Sequence, residues 1–178
     1  LQPRPFMVID DGWQTAHSES YNGGPWTGGN RAYGDMKKLA DDMKKYDVRP
    51  GIWFRPLLDY SADIPEEWRL SREKGVLDIS VPSVISHIQE DIRRIREWGF
   101  ELIKHDFSSF DLLGRWGFMM GKELTDQDWC FHDRYRTTAE IIVAFYQAIK
   151  DAEEDMIILG CNCIGHLGAG LMLLNRIG

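Results

Sequence analysis

The sequence predicts an α/β fold, a parallel β-sheet covered by helices, and two observations carry that prediction. Short apolar runs with strand character recur along the chain, and amphipathic helical patterns fill the intervals between them. Residues 6–10, 51–54, 101–107 and 156–161 read as buried strands. Met36, Leu39, Ala40 and Met43 recur at helical spacing behind Asp35. Ile85, Ile88, Ile92 and Ile95 do the same between Pro82 and Trp98, where Gly99 supplies a stop. Thr137 and Glu140 have the spacing of a capping box ahead of Ile142, Val143, Tyr146 and Ile149. A shorter helix is expected over 65–73 and a brief strand over 76–79. No internal repeat or low-complexity tract interrupts the pattern.

Two long connections stand out. Residues 14–34 are rich in Gly, Asn, Ser and aromatic residues, and residues 108–133 carry Arg115, Trp116, Trp129 and His132. Both follow strands, so both lie on the C-terminal side of the sheet, where parallel α/β folds bind ligands. Loops of that length are functional or disordered, and the aromatic content favours an ordered role facing a sugar or another ring. A packed surface excursion is the alternative.

With 178 residues the chain is long enough for one domain with a sizeable core. Apolar residues at 43% and charged residues at 28% are ordinary for a soluble globular protein. A net charge of -7 argues against binding a phosphate backbone, so no nucleic-acid partner is expected. Neutral or cationic small ligands stay open. No apolar run approaches the ~20 residues of a membrane span, so no membrane partner is expected either. The chain opens at Leu1 almost directly into a strand and stops at Gly178 without a closing helix. Residues 1–178 therefore read as a single domain truncated at both ends, and nothing in them decides the parent protein's location. Cys130, Cys161 and Cys163 suggest no disulfide framework, and Cys161 and Cys163 sit too close for most zinc spacings. His132 and His166 are scattered as well. No metal or organic cofactor is required, and the thiols read as small buried apolar groups.

The strand ends gather the chemistry. The first closes on Ile9-Asp10-Asp11-Gly12-Trp13, the second on Ile52-Trp53-Phe54-Arg55-Pro56, the third on Lys104-His105-Asp106 and the last on Gly160-Cys161-Asn162. A core strand has no packing reason to finish this way, because unpaired buried charge is costly. Alternation along a strand points Lys104 and Asp106 to one face and His105 to the other. An ammonium close to a carboxylate favours the ionised form of each, which equips Asp106 as a nucleophile or electrostatic stabiliser. A strand-end salt bridge is the plainer reading. Carboxylates accept from vicinal hydroxyls, ammonium donates to them, and indole covers the apolar face of a pyranose. The composition thus suits a carbohydrate better than a nucleotide, for which no Gly-x-Gly-x-x-Gly or phosphate loop follows any strand.

These motifs follow one another as they do in the α-galactosidase clan. The chain resembles glycoside hydrolase family 36, the melibiase type, with family 27 a step further off, over nearly all of its length. The resemblance implies a parallel (β/α)8 TIM barrel, of which the chain would hold only part, since a complete barrel needs ~250 residues. It implies a retaining glycosidase acting on α-D-galactosides, with Asp106 forming the covalent glycosyl-enzyme. Lys104 would hold sugar hydroxyls and keep Asp106 ionised. Asp10 and Asp11 would bind the far edge of the ring, Trp13 and Trp53 would be aromatic walls, and Cys161 and Asn162 would sit near the 2-substituent, with Arg176 also on the substrate. In the resembled enzymes the general acid/base follows the next strand, just after a stretch like Asn175-Arg176-Ile177-Gly178, which leaves it outside this chain. The parent could be a homo-oligomer.

The chain differs from the family pattern at three places. Arg55-Pro56-Leu57 lacks the acidic residue that many family 36 members carry after the proline, His105 stands where an aromatic residue is common, and Asn162 is not the acidic residue of family 27. Other readings stay open. They are a catalytically inactive carbohydrate-binding barrel, the same fold acting on α-N-acetylgalactosaminides or β-L-arabinopyranosides or in galactosyl transfer, and a Schiff-base enzyme using Lys104. The charge that Asp106 would hold on Lys104 argues against the last. A piece of barrel taken alone would leave edge strands and apolar faces uncovered, and is expected to be poorly active and prone to associate.

Overall fold

The computed structural model describes residues 4–70, 73–116, 119, 130–153 and 155–176. Five parallel strands form the main sheet: β1 (Phe6–Ile9), β2 (Arg49–Phe54), β5 (Leu102–His105), β6 (Ile157–Gly160) and β7 (Leu174–Asn175). They lie side by side in chain order, each paired in parallel with the next. A doubly wound sheet reverses its strand order at a switch point; this one does not. Winding in a single direction makes the sheet an arc of a (β/α) barrel.

Between β2 and β5, the strands β3 (Arg69–Leu70) and β4 (Glu73–Leu77) form a small antiparallel pair apart from the main sheet. A helix was expected over 65–73, but only a 3-10 turn at Glu66–Trp68 forms. Strand pairing overrides the helical propensity here. Leu70 is buried in the core, and the Arg69 guanidinium donates to the carbonyls of Asp59, Ser61 and Ile64. Of the brief strand expected over 76–79, Val76 and Leu77 form the end of β4, while Asp78 and Ile79 lie beyond it.

Helices α1 (Met36–Lys45), α2 (Pro82–Glu97) and α4 (Thr138–Glu153) fall where the periodicity places them. Asp35 caps α1 by accepting from the Lys38 N–H at 3.0 Å. Gly99 follows α2 with φ +95°, a left-handed conformation that suits glycine and ends the helix. The capping box forms as the spacing predicts: Glu140 accepts from the Thr137 N–H at 2.7 Å, and the Thr137 hydroxyl accepts from the Glu140 N–H at 3.3 Å. The apolar stripes of α2 and α4 meet, burying Val84, Ile88, Ile92 and Ile95 against the core shared with Ile142, Tyr146 and Ile149. Val143 of the expected stripe is 38% exposed instead.

Two further expectations are corrected. The first strand is only half-buried, with Met7 55% exposed, because β1 is the edge of the sheet among the described residues. The connection after β5 opens with a helix, α3 (Ser108–Leu113), which Gly114 closes in the left-handed conformation. Buried Leu112 and Leu113 explain it, since a short apolar pair ahead of a glycine can dock where a bare loop cannot. Of the aromatic residues read in this connection, Trp129 lies outside the described residues.

Adjacent residues in α4 test its orientation. Ile142→Ala should cost about 2–5 kcal/mol and Val143→Ala less than about 0.5 kcal/mol in urea unfolding, because only the first empties a core site.

Candidate active site

Parallel register decides which side chains share a face. Trp53 pairs with Lys104 and Phe54 with His105, while Lys104 pairs with Leu159 and His105 with Gly160. Residues two further along each strand keep the same sides. The inner face therefore collects Trp53, Lys104, Asp106 and Cys161, together with Asp10 from the end of β1. The outer face takes His105.

Asp106 is 5% exposed, and three donors converge on its carboxylate. Trp53 Nε1 donates to Oδ2 at 2.9 Å, Asn162 Nδ2 to Oδ1 at 2.6 Å, and the Phe107 backbone N–H to Oδ1 at 2.7 Å. A carboxylate has about four acceptor positions. The Cys161 thiol is a further hydrogen-bond partner of Asp106, so the carboxylate is held on all sides. The Asp106 N–H is itself tied to Phe54 O at 2.9 Å, which locks the tip of β5 to β2. Phe107 and Asn162, the residues that flank the carboxylate, have φ of +67° and +49°. Non-glycine residues in this region cost energy, and such strain clusters at functional sites. Asn162 is held by the Ser109 N–H and hydroxyl, which donate to its carbonyl at 3.0 and 2.6 Å and couple α3 to the tip of β6, while the Phe107 carbonyl accepts from the Asp111 N–H at 2.9 Å.

Lys104 and Asp106 do share a face, but they do not form the expected pair. The Lys104 ammonium reaches Asp10 Oδ2 at 2.7 Å, joining β5 to the end of β1 across β2. Asp106 is instead served by neutral donors. Asp10 remains 62% exposed at its side chain and so keeps acceptor capacity beyond Lys104. Asp11 accepts from Gln14 Nε2 at 3.2 Å and Asn22 Nδ2 at 3.1 Å. The turn after this pair needs Gly12, whose φ is +110° and whose carbonyl accepts from Asn30 Nδ2 at 2.7 Å.

The tryptophans are a second correction. Trp13 and Trp53 are 0% and 1% exposed, so neither presents a ring face as a wall. Trp13 belongs to the core against Trp26 and Trp98, and its N–H donates to Trp53 O at 2.8 Å. Trp53 contributes its N–H to Asp106. The aromatic surface beside the carboxylate comes from Phe107, Phe110 and Trp116, half-buried rings with centroids 4.7–6.3 Å apart.

Cys161 is buried, with Asn162 Nδ2 at 3.6 Å and the Arg176 guanidinium at 3.9 Å from its sulfur. Burial, then the Asp106 charge, pushes its thiol up, so it stays protonated beside the carboxylate. Arg176 is exposed and continues the parallel ladder through its N–H to Gly160 O at 2.7 Å. Asn22, Arg55 and Asp111 escaped the sequence reading as site residues. Arg55 was visible in the second strand-end motif, whereas Asp111 lies in a helix that the sequence reading did not expect. With Tyr21, Tyr60 and Phe110 they line a cavity of about 460 Å³ on the same rim. No cluster of side chains suited to a metal ion occurs among the described residues.

On the outer face His105 is fully buried between Phe145, Tyr146 and the Ser108 hydroxyl, which its Nε2 contacts. Burial pushes its pKa down to about 4, with the Asp106 charge opposing.

No protein-family model and no curated protein matches the chain. Solved structures do. It is similar to the alpha-galactosidase of Thermus thermophilus in complex with p-nitrophenyl alpha-D-galactopyranoside, with 23% identity, a TM-score of 0.70 and 98% of this chain on 35% of that one. The family 36 alpha-galactosidase of Geobacillus stearothermophilus in complex with stachyose matches at 18% identity and a TM-score of 0.60, covering 96% of this chain and 26% of that one. An Arthrobacter globiformis isomalto-dextranase complexed with panose also matches, at 18% identity and a TM-score of 0.54 over 86% of this chain and 28% of that one. The chain spans about a third of the length of the Thermus structure. At these identities the likeness speaks to fold alone, part of a (β/α) barrel.

The buried His105 yields a sign-definite expectation. Its folded pKa lies below the ordinary 6.5, so its stabilising contribution is whole above that pH and is lost as pH falls from 6.5 toward about 4. The loss is about 3 kcal/mol at 1.36 kcal/mol per unit. Urea unfolding at pH 7 and pH 4.5 should show a smaller acid-induced drop for His105→Gln than for the wild type.

Proposed function

We propose that the chain is part of the catalytic barrel of a retaining glycosidase of the α-galactosidase clan, acting on α-D-galactosides. One observation carries the reading: a largely buried Asp106 carboxylate at a parallel strand's C-terminal tip, fixed by Trp53, Asn162 and the Phe107 N–H, beside the Lys104–Asp10 pair. That is the arrangement a glycosyl-accepting nucleophile requires. It must be held in a fixed orientation and shielded from bulk water.

In this reading Asp106 Oδ2 attacks the anomeric carbon from the β face and forms a covalent glycosyl-enzyme. Water then releases the sugar with its configuration retained. Asp10, Lys104 and Asp11 receive the hydroxyls at the far edge of the ring, and Cys161, Asn162 and Arg176 border the 2-position. Retention needs a second carboxyl about 5–5.5 Å from the nucleophile. We assign it to a part of the barrel beyond residue 178, in keeping with a match that covers about a third of the Thermus structure. The galactoside bound in that structure supports the choice of sugar, and the dextranase of the same fold is why the choice needs a direct test.

In the full-length enzyme, Asp106→Asn should lower turnover of p-nitrophenyl α-D-galactopyranoside by more than about 10³-fold, with an unchanged circular dichroism spectrum and unfolding midpoint. Proton NMR of the first-formed product should give α-galactose. Full activity in the variant, or an inverted product, would remove Asp106 as nucleophile.

A further inference from the structure

Arg55 is a strand-end residue on the inner face that this chemistry leaves unused. It follows Trp53 by two positions and is 8% exposed, so its charge must be matched by partners. Nε and Nη2 donate to the two oxygens of Asp111 at 3.0 and 2.5 Å, a fork-to-fork pair with a residue of α3 that is itself 2% exposed. Nη1 donates to Asn22 Oδ1. The guanidinium also lies 4.1 Å from the ring centroid of Phe107, the left-handed residue directly after Asp106.

The consequence falls on Asp11. A guanidinium has only donors, so Asn22 must turn its oxygen toward Arg55 and its Nδ2 away from it. That Nδ2 donates to Asp11 Oδ2 at 3.1 Å, and Gln14 holds the other carboxylate oxygen at 3.2 Å. The His17 Nδ1 also faces that oxygen, at 3.6 Å, so the Oδ2 side of Asp11 is set by a relay that starts at Asp111, passes through Arg55 and ends at the Asn22 amide. The relay ties the connection after β1, the tip of β2 and α3, which are the elements flanking the pocket. Lysine could not replace Arg55, because one ammonium cannot meet both Asp111 oxygens in plane and reach Asn22 as well.

We infer that Arg55 is a positioning residue that sets the orientation of the sugar-binding Asp11 through the Asn22 amide. The inference rests on the reading that Asp11 holds a substrate hydroxyl, and it concerns affinity more than the chemical step.

The test uses the full-length enzyme with p-nitrophenyl α-D-galactopyranoside and three variants: Asn22→Leu, the charge-free pair Arg55→Met with Asp111→Leu, and all three changes together. Asn22→Leu and the pair should each raise KM roughly tenfold with kcat within about twofold, the size expected for one charge-assisted hydrogen bond. The triple variant should add no more than about twofold, because the relay is already broken. An unchanged KM in Asn22→Leu, a fall confined to kcat, or fully additive effects would each overturn the relay. Asn22→Leu leaves the buried ion pair intact, so its outcome does not depend on the pair variant folding. Should the wild type neither bind nor cleave the galactoside, the functional reading fails and the relay is judged by a crystal structure of Asn22→Leu. A displaced Asp11 carboxylate upholds it, and an unmoved one overturns it.

Discussion

The parallel pairing of β2 with β5, in the register that sets Trp53 beside Lys104, is the constraint on which the site depends. A parallel ladder gives every neighbouring pair a common face. One residue of slip would part Trp53 from Lys104 and Asp106 and set it on the face of His105 instead. The register is held from both sides. Outer-face residues Ile52, Phe54, Ile103 and His105 are all buried, and the Asp106 N–H to Phe54 O bond extends the pairing to the tip.

At that tip the backbone leaves regular structure abruptly. Phe107 and Asn162 adopt left-handed conformations on adjacent strands, and each is bound into the group it helps to form. The cost of such conformations is met by burial and hydrogen bonding in the surrounding elements, α3 above all. The short helix is therefore part of the site's construction: Ser109 anchors the tip of β6, and Asp111 anchors Arg55.

Charge is distributed with the same economy. The exposed, accepting end of the pocket carries Asp10 and Asp11, with Lys104 on Asp10 and the Asn22 amide on Asp11. The buried end holds Asp106 with neutral donors, Trp53, Asn162 and the Phe107 N–H. Behind it His105, its pKa pushed down by burial, packs as an uncharged ring against α4. Arg55 and His105 each have a local partner, Asp111 for the first and Ser108 for the second.

Much of this was legible in the residues themselves. Helical spacing fixed α1, α2 and α4, because a stripe at that period can be buried in only one way. The Thr137–Glu140 box formed as its spacing required. Alternation alone placed Lys104 and Asp106 on one face with His105 opposite. What sequence could not decide was which partner each inward group would choose. Lys104 had two carboxylates within reach, and the stagger of β1 against β2 gave it Asp10. Trp13 looked like a wall because an indole near acidic residues suits a sugar, yet its large apolar surface was better used in the core. The helix α3, and with it Asp111, depended on a docking surface that exists only after the sheet has formed. Periodicity and local capping are properties of one segment and can be read from it. Pairings between side chains distant in the chain are settled only when packing sets the distances, and those pairings are what make this rim of the sheet a site.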